Sequence, residues 1–111
     1  MTMYTIETTE VFDAWISALK DRQAMLRVQA RIRRAELGNF GDVKPVGEGV
    51  SEMRIDFGPG YRVYFTQRGL EFVFLLAGGS KSTQAKDIKA AQALAKQLRE
   101  RKMPLETGKW D

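Results

Sequence analysis

The sequence contains neither cysteine nor histidine. The lack of cysteine excludes disulfides and thiolate chemistry. The lack of histidine excludes a Ser-His-Asp triad, a cysteine–histidine pair and a histidine-bound zinc site. Any general acid or base must therefore be a lysine, tyrosine, aspartate or glutamate, with arginine available to stabilise negative charge. We expect no metal site and no cofactor.

Long apolar runs are also missing, since none reaches the roughly 18 residues that a membrane span requires. Residues 1–10 are polar and acidic, without the basic and then apolar order of a signal peptide. We therefore expect a cytoplasmic protein that does not contact the membrane. The 111 residues fit a single domain. We predict that domain over residues 1–103, followed by a tail at 104–111 that begins at Pro104 and contains Trp110.

Positive charge is in excess, with 18 lysines and arginines against 14 aspartates and glutamates and a formal net charge of +4. A basic domain favours polyanionic partners, above all nucleic acid. The same balance is also found in basic proteins that bind no nucleic acid, so charge alone leaves the partner open.

The N-terminal residues predict a strand followed by a helix. Residues 3–7 form the strand, and Thr8 or Thr9 can cap the helix, with Glu10 and Asp13 in its first turn. One apolar face runs along this helix at helical spacing and consists of Phe12, Trp15, Ile16 and Leu19.

A second helix is predicted at residues 21–37 and is terminated by the Gly-Asn pair at 38–39. Its other side carries Arg27, Arg31 and Arg34, again at helical spacing. A basic stripe of this kind is often only a solvated helix face, but it can also dock on ribosomal RNA or on an acidic segment of a partner. The buried stripe is predicted to consist of Met25, Val28, Ile32 and Ala35.

The periodicity then changes from helical to alternating, which predicts a meander of three antiparallel strands. Lys44 and Val46 are predicted to lie in an irregular first part of the first strand. Turns are predicted at 58–60 and 68–69, and the strand at 70–77 is apolar on both faces and therefore central.

The loop lengths predict the register of the strands. The three-residue first loop places Phe57 opposite Tyr61, and the two-residue second turn places Phe65 opposite Phe72. Both loops keep the apolar side chains on one face of the sheet.

The other face of the sheet is then expected to be open, polar and basic. The same register places Arg54 opposite Tyr64 and Asp56 opposite Arg62. Tyr61 alternates onto the apolar face, so core packing is its expected role.

A third helix is predicted at residues 83–102, after glycines at 78–79 that end the last strand. Ser80 or Ser82 can cap it, with Asp87 in its first turn. Its apolar stripe consists of Ile88, Ala91, Ala95 and Leu98. The fold class is therefore α+β, with a short N-terminal strand, a two-helix hairpin, an antiparallel sheet and a C-terminal helix.

Two segments give the chain a resemblance to a known family. They are RIDFGPGYRVYF at residues 54–65 and LLAGGSKSTQ at residues 75–84. Together with Lys44-Pro45-Val46 and the arginine-rich second helix, they resemble the RelE/ParE toxin superfamily, and within it the HigB-like addiction module killer proteins.

The resemblance implies a RelE-like fold and the toxin of a type II toxin–antitoxin system. Such a toxin is an mRNA interferase, an endoribonuclease that cuts messenger RNA in the ribosomal A site. A cognate antitoxin, typically with a helix-turn-helix, neutralises it, and operator DNA is bound only through the complex of the two proteins.

The resemblance also implies a catalytic set. Arg62 matches the basic residue that stabilises the phosphate, Lys81 matches a basic residue just after the last strand, and Arg54 represents the basic residues before the turn. Tyr64 is the candidate for stacking or proton transfer. The C-terminal tyrosine and the histidines of some relatives have no counterpart here. Lys44, Arg27, Arg31 and Arg34 are the predicted contacts to RNA or the ribosome.

Each of these residues also has a simpler structural interpretation. Arg62 can form a cross-strand salt bridge with Asp56, and Arg54 can stack on Tyr64. Lys81 can be a solvated residue at a helix start.

Two other functions remain open on the same fold. One is a ParE-like gyrase inhibitor, and the other is an inactive binding module.

Overall fold

The computed structural model describes residues 3–101. Its elements are β1 (Thr5–Thr8), α1 (Glu10–Ala18), α2 (Arg22–Glu36), β2 (Val43–Gly47), β3 (Val50–Ile55), β4 (Tyr61–Arg68), β5 (Phe72–Ser80), a one-turn 3-10 helix (Lys81–Thr83) and α3 (Gln84–Arg101). The predicted mixed α+β class is confirmed. Within this span no helix is long and apolar enough to cross a membrane. The predicted tail at 104–111 lies outside the described residues.

The first helix begins at a threonine cap, as its sequence predicts. The Thr9 hydroxyl accepts a hydrogen bond from the Phe12 N–H at 3.1 Å and donates one to the Leu76 carbonyl at 2.6 Å. Glu10 and Asp13 lie in the first turn, where the partial positive charge of the helix favours acidic side chains. The cap therefore sets where α1 starts and also fixes that end of the helix to β5.

The second helix also begins and ends close to the predicted residues. The Asp21 carboxylate accepts hydrogen bonds from the N–H groups of Gln23 and Ala24. After Glu36 the chain leaves the helix through Gly38, whose φ of 94° lies in the left-handed region that glycine favours.

The sheet has five strands in the order β1-β5-β4-β3-β2. β1 runs parallel to β5, and the other pairs are antiparallel. β5 is central, as predicted, because it pairs with β1 on one side and β4 on the other. The segment around Lys44 is a separate edge strand, β2, so the prediction of three meander strands is corrected to four.

Helices cover both faces of the sheet, so the expectation of one open face is wrong. α1 and α2 pack on one face around Phe12, Val28, Ala35, Met53, Ile55, Val63, Phe65, Val73 and Leu75. α3 packs on the other face around Val50, Tyr64, Phe74, Leu76, Ala77, Ala91, Ala95 and Leu98. Burial of a large apolar side chain is worth about 1.5–3 kcal/mol, so an open face carrying Phe74 and Leu76 would be costly.

The register of β3 against β4 differs from the prediction by two residues. Ile55, rather than Phe57, lies opposite Tyr61, and the connecting loop has five residues, 56–60. A shift of two residues keeps every side chain on its own face of the sheet. The alternating pattern is therefore compatible with both registers and cannot distinguish them.

The register of β4 against β5 is also corrected. Phe65 lies opposite Leu75 instead of Phe72, and the ladder is interrupted by a bulge between Tyr64 and Phe65. Phe72 lies opposite Arg68, which leaves a three-residue connection. The odd shift moves Phe72, Phe74 and Leu76 to the face covered by α3.

Gly78 and Gly79 do not end β5, which continues to Ser80. A Cβ atom at Gly78 would overlap the Trp15 ring, and one at Gly79 would overlap the Asp87 carboxylate. These glycines therefore allow α1 and α3 to approach the strand closely, rather than forming a turn. The 3-10 helix follows, and α3 begins at Gln84, one residue after the predicted start.

Candidate functional site

A cleft of about 370 Å³ opens where β3 ends, β4 begins and β5 runs into the 3-10 helix. Its walls carry three basic and two acidic side chains. They consist of Asp42, Arg54, Asp56, Gly58, Pro59, Gly60, Arg62 and Lys81. The structure thus brings together three of the four predicted catalytic residues, namely Arg62, Arg54 and Lys81.

Arg54 and Arg62 lie directly opposite each other on β3 and β4. Like charges in this position destabilise a sheet unless other groups compensate them. Each arginine has its own carboxylate, Asp42 for Arg54 and Glu52 for Arg62. The two cations can therefore stay adjacent, with their charges compensated by these carboxylates.

Arg54 is held by an ion pair at the surface. Its Nη2 and Nε donate to Oδ1 of Asp42 at 2.8 and 3.3 Å. The hydrogen bond and charge of Arg54 lower the pKa of Asp42, and the same hydrogen bond raises the pKa of Arg54. Both side chains are well exposed, at 38% for Arg54 and 58% for Asp42, so solvent weakens the pair.

Arg62 is held by a buried carboxylate that the sequence analysis did not identify. Its side chain is 12% exposed, and that of Glu52 is only 1% exposed. Oε2 of Glu52 lies 3.6 Å from Nε of Arg62 and accepts hydrogen bonds from the Tyr64 hydroxyl at 3.1 Å and the Gln84 amide at 2.6 Å. In sequence Glu52 appears as a polar residue of an alternating strand, and only the correct register with Tyr64 would have marked it.

Lys81 reaches the cleft from the first turn after β5. Its backbone N–H donates to the Gly60 carbonyl at 2.7 Å, which joins the end of β5 to the β3–β4 loop. Gly60 has a φ of 80°, and a Cβ atom there would lie 3.4 Å from Cβ of Lys81 and 3.7 Å from Nη1 of Arg62. A side chain would fit beside both cations, so the left-handed backbone, and not a lack of space, favours glycine here. The ammonium group of Lys81 is exposed.

Tyr64 does not lie in the cleft, contrary to the prediction of an open face. Its side chain is fully buried beneath α3, and its hydroxyl donates to Glu52. Burial first, and then the charge of Glu52, raise the pKa of this hydroxyl well above its ordinary value. Tyr64 is therefore neither placed to stack on a ligand nor ionisable near neutral pH.

Two predicted structural pairs are also wrong. Arg62 does not pair with Asp56, because Asp56 lies in the loop after β3 and Glu52 takes its place. Arg54 does not stack on Tyr64, because Arg62 is its cross-strand neighbour. Both errors follow from the two-residue difference in register.

A second depression of about 310 Å³ lies at the same end of the sheet. It is lined by Trp15, Tyr61, Gly78, Gly79, Ser80, Thr83, Lys86 and Asp87. The Trp15 and Tyr61 rings meet edge to face with their centroids 6.4 Å apart. Tyr61 and Arg62 are neighbours in β4, so their side chains lie on opposite faces of the sheet, and the depression and the cleft share no lining residue.

No family model matches the chain. A comparison with curated proteins finds an uncharacterized protein of Haemophilus influenzae that is 53% identical over 93 residues, or 84% of this chain and 94% of the relative. The chain belongs to the family of this protein. The aligned region covers nearly the whole relative, so the two proteins share this domain. The description of the relative states no activity.

The other predicted RNA contacts do not line the cleft. Lys44 is exposed on the edge strand β2, and Arg27 and Arg34 are exposed on α2. The guanidinium of Arg27 lies over the Phe57 ring, 4.3 Å from its centroid. None of these three side chains lines the cleft.

Arg31 differs from the other arginines of the α2 stripe because its side chain forms hydrogen bonds within the protein. It is half-buried and donates to the carbonyls of Arg54 at 2.6 Å and Phe40 at 3.0 Å. Burial and the nearby Arg34 lower its pKa. Its evident role is to fasten the segment before β2 to the end of β3, and thereby to position Asp42.

The arrangement is suited to holding an anion rather than a metal ion. Within residues 3–101, acidic side chains form no group of three that could hold a metal. The guanidinium groups of Arg54 and Arg62 and the ammonium of Lys81 can instead donate to phosphate oxygens.

Proposed function

We propose that this chain is the toxin of a type II toxin–antitoxin system, HigB-like within the RelE/ParE superfamily, and that it cleaves messenger RNA at the ribosome. A helix-turn-helix antitoxin would neutralise it. The observation that carries the proposal is the convergence of Arg54, Arg62 and Lys81 on one cleft, since the resemblance assigns the phosphate to these positions.

The cleft contains the groups that RNA self-cleavage requires. The ribose 2′-oxygen attacks the adjacent phosphorus, and the bond from phosphorus to the 5′-oxygen breaks, giving a 2′,3′-cyclic phosphate and a 5′-hydroxyl. Arg62 and Arg54 stabilise the negative charge that develops on the phosphate oxygens. Lys81, as an exposed ammonium, gives a proton to the departing 5′-oxygen.

Asp56 is the group that we assign to take the proton from the 2′-hydroxyl. It is exposed, lines the cleft and forms no ion pair with any residue between 3 and 101. Asp42 is less suitable, because its bond to Arg54 lowers its pKa and makes it a weaker base. The depression with Trp15 and Tyr61, at the same end of the sheet, offers apolar surface for a neighbouring base.

The test is induced expression in a bacterial host, with growth and the 5′ ends of cleaved messages as readouts. We expect arrest by the wild-type protein and a loss of cleavage of about 100-fold in Lys81→Gln and Arg54→Gln. Lys89→Gln is the matched control, because Lys89 is an exposed lysine on α3 that does not line the cleft. It should arrest growth normally.

Three outcomes would contradict the proposal. Normal message cleavage by both cleft variants would remove the cleft from the mechanism. Arrest with inhibited DNA supercoiling and intact messages would indicate a gyrase inhibitor. Complete lack of arrest would indicate a binding module.

A further inference from the structure

A buried carboxylate network lies directly behind the cleft. Glu52 is fully buried in a part of the sheet that is otherwise apolar, where Val50, Phe74 and Leu76 pack against α3. A buried ion pair is weak support for stability, since apolar side chains of similar size often do as well. The presence of a glutamate here therefore needs another explanation.

The network fixes Glu52 but leaves its contact with Arg62 incomplete. Tyr64 and Gln84 both donate to Oε2. Among the described residues, Oε1 of Glu52 and Nε of Arg62 have no hydrogen-bond partner, although both atoms are buried. The pair is thus held by charge at 3.6 Å, with the carboxylate fixed by two other donors.

This geometry constrains Arg62 from one edge. Glu52 attracts the guanidinium at Nε, and Nη1 donates weakly to the Tyr61 carbonyl at 3.3 Å. The rest of the Arg62 guanidinium is available to a ligand in the cleft that Arg62 lines. A guanidinium fixed in this way loses less entropy on binding a phosphate than a free side chain would.

We infer that Glu52 is a positioning residue, which with Tyr64 and Gln84 holds the Arg62 guanidinium in place to receive an RNA phosphate. The inference rests on the proposed function, because it assumes that Arg62 contacts the RNA backbone. Glu52 itself does not touch the substrate.

A purely electrostatic role and a positioning role of Glu52 predict opposite effects of Glu52→Gln on RNA binding. The substitution removes a negative charge near the cleft, so charge alone predicts tighter RNA binding. Positioning predicts weaker binding, because the guanidinium loses its anchor. Asp56→Asn provides the comparison, since it removes an exposed carboxylate that lines the same cleft.

The experiment measures binding of a short fluorescein-labelled 2′-O-methyl RNA, which cannot be cleaved, at several salt concentrations. We expect Glu52→Gln to weaken binding about tenfold and to reduce the salt slope by about 0.7, the loss of one phosphate contact. Asp56→Asn should strengthen binding. Glu71→Gln, at the opposite end of the sheet, should bind as wild type.

A double-mutant cycle tests whether Glu52 acts through Arg62. In an Arg62→Lys background, which keeps the charge but lacks Nε, Glu52→Gln should have little further effect. Equal weakening in both backgrounds would show that Glu52 acts on stability in general and would overturn the inference. Tighter binding by Glu52→Gln, as for Asp56→Asn, would also overturn it.

A measurement without RNA separates this inference from the proposed function. In the wild-type protein, the Arg62 Nε–H should give a resolved NMR signal that exchanges slowly with water, and Glu52→Gln should make it exchange rapidly. Rapid exchange in the wild type would overturn the positioning role. A protected signal in a protein that binds no RNA would instead overturn the proposed function.

Discussion

At the scale of single residues, Arg62 and Glu52 have to be treated as one unit. Arg62 is mostly buried and faces a carboxylate that is almost fully buried. Removal of one member leaves the other charge without compensation in a low-dielectric environment. Arg62→Ala is the most direct test of the proposed catalytic role of Arg62. Because it also disturbs this pair, it tests the fold as much as the function.

We expect Arg62→Ala to lower the free energy of unfolding by about 3 kcal/mol. Adding Glu52→Gln should recover most of that loss, because the second change removes the unpaired carboxylate. Urea denaturation of the two single variants and the double variant measures both effects. Independent, additive losses in the double variant would mean that the two side chains do not form the pair described above.

The structural role of Thr9 can be predicted from the sequence, whereas that of Tyr64 cannot. Thr9 acts through its own neighbours in sequence, so its role as a cap is evident from the order of residues. Tyr64 follows a strand pattern that fits either face of a sheet. Its burial depends on α3, which lies far along the chain.

At the scale of elements, the loop between β3 and β4 decides the shape of the cleft. Its last residue, Gly60, has a left-handed backbone, approaches Lys81 and Arg62, and accepts the Lys81 N–H. Gly69, in the connection between β4 and β5, has a φ of 60° but no atom within 4 Å of a Cβ built there. The two glycines have similar left-handed backbones and different surroundings.

Alanine at either glycine should destabilise the fold by about 1 kcal/mol, because a side chain disfavours this backbone conformation. Only Gly60→Ala should also weaken RNA binding and cleavage, since a strained backbone at residue 60 disturbs the hydrogen bond that holds Lys81 at the cleft. Thermal melts and the fluorescent RNA assay on both variants provide the comparison. Equal RNA binding by the two variants would show that the loop does not shape the site.

At the scale of the whole molecule, two groups of basic side chains are candidates for binding RNA. Arg54, Arg62 and Lys81 converge at the end of the sheet, while Arg27 and Arg34 project from α2 on the other layer. The net charge of +4 is the balance of all 18 basic and 14 acidic residues, so it does not distinguish which group binds RNA. The salt dependence of RNA binding does distinguish the two groups, because its slope is proportional to the number of phosphates that are neutralised.

For free single-stranded RNA we expect a slope of log affinity against log salt of about −2, from three phosphate contacts at the cleft. Arg54→Gln with Lys81→Gln should reduce it to about −0.7, and Arg27→Gln with Arg34→Gln should leave it unchanged. The reverse result would place the RNA on α2.

Much of the fold could be predicted from the sequence because its signals are local. The caps at Thr9 and Asp21, the stop at Gly38 and the apolar stripe of α3 depend on residues within a few positions of each other. The resemblance expected from two short segments also predicted Arg54, Arg62 and Lys81 as site residues, and the structure brings these three to one cleft. The H. influenzae relative matches 84% of the chain, and its description states no activity.

The sequence by itself determined the helices, the central strand and the cations available for the site. Only the tertiary structure decided the register, the burial of Tyr64 and the place of Glu52. For β3 and β4 the physical reason is that side chains alternate with a period of two, so a two-residue shift leaves the pattern of polar and apolar faces unchanged. For β4 and β5 it is that β5 is apolar on both faces, so its pattern does not indicate which face pairs with the core. Burial of the second face depends on contacts between β5 and α3, which no local pattern specifies.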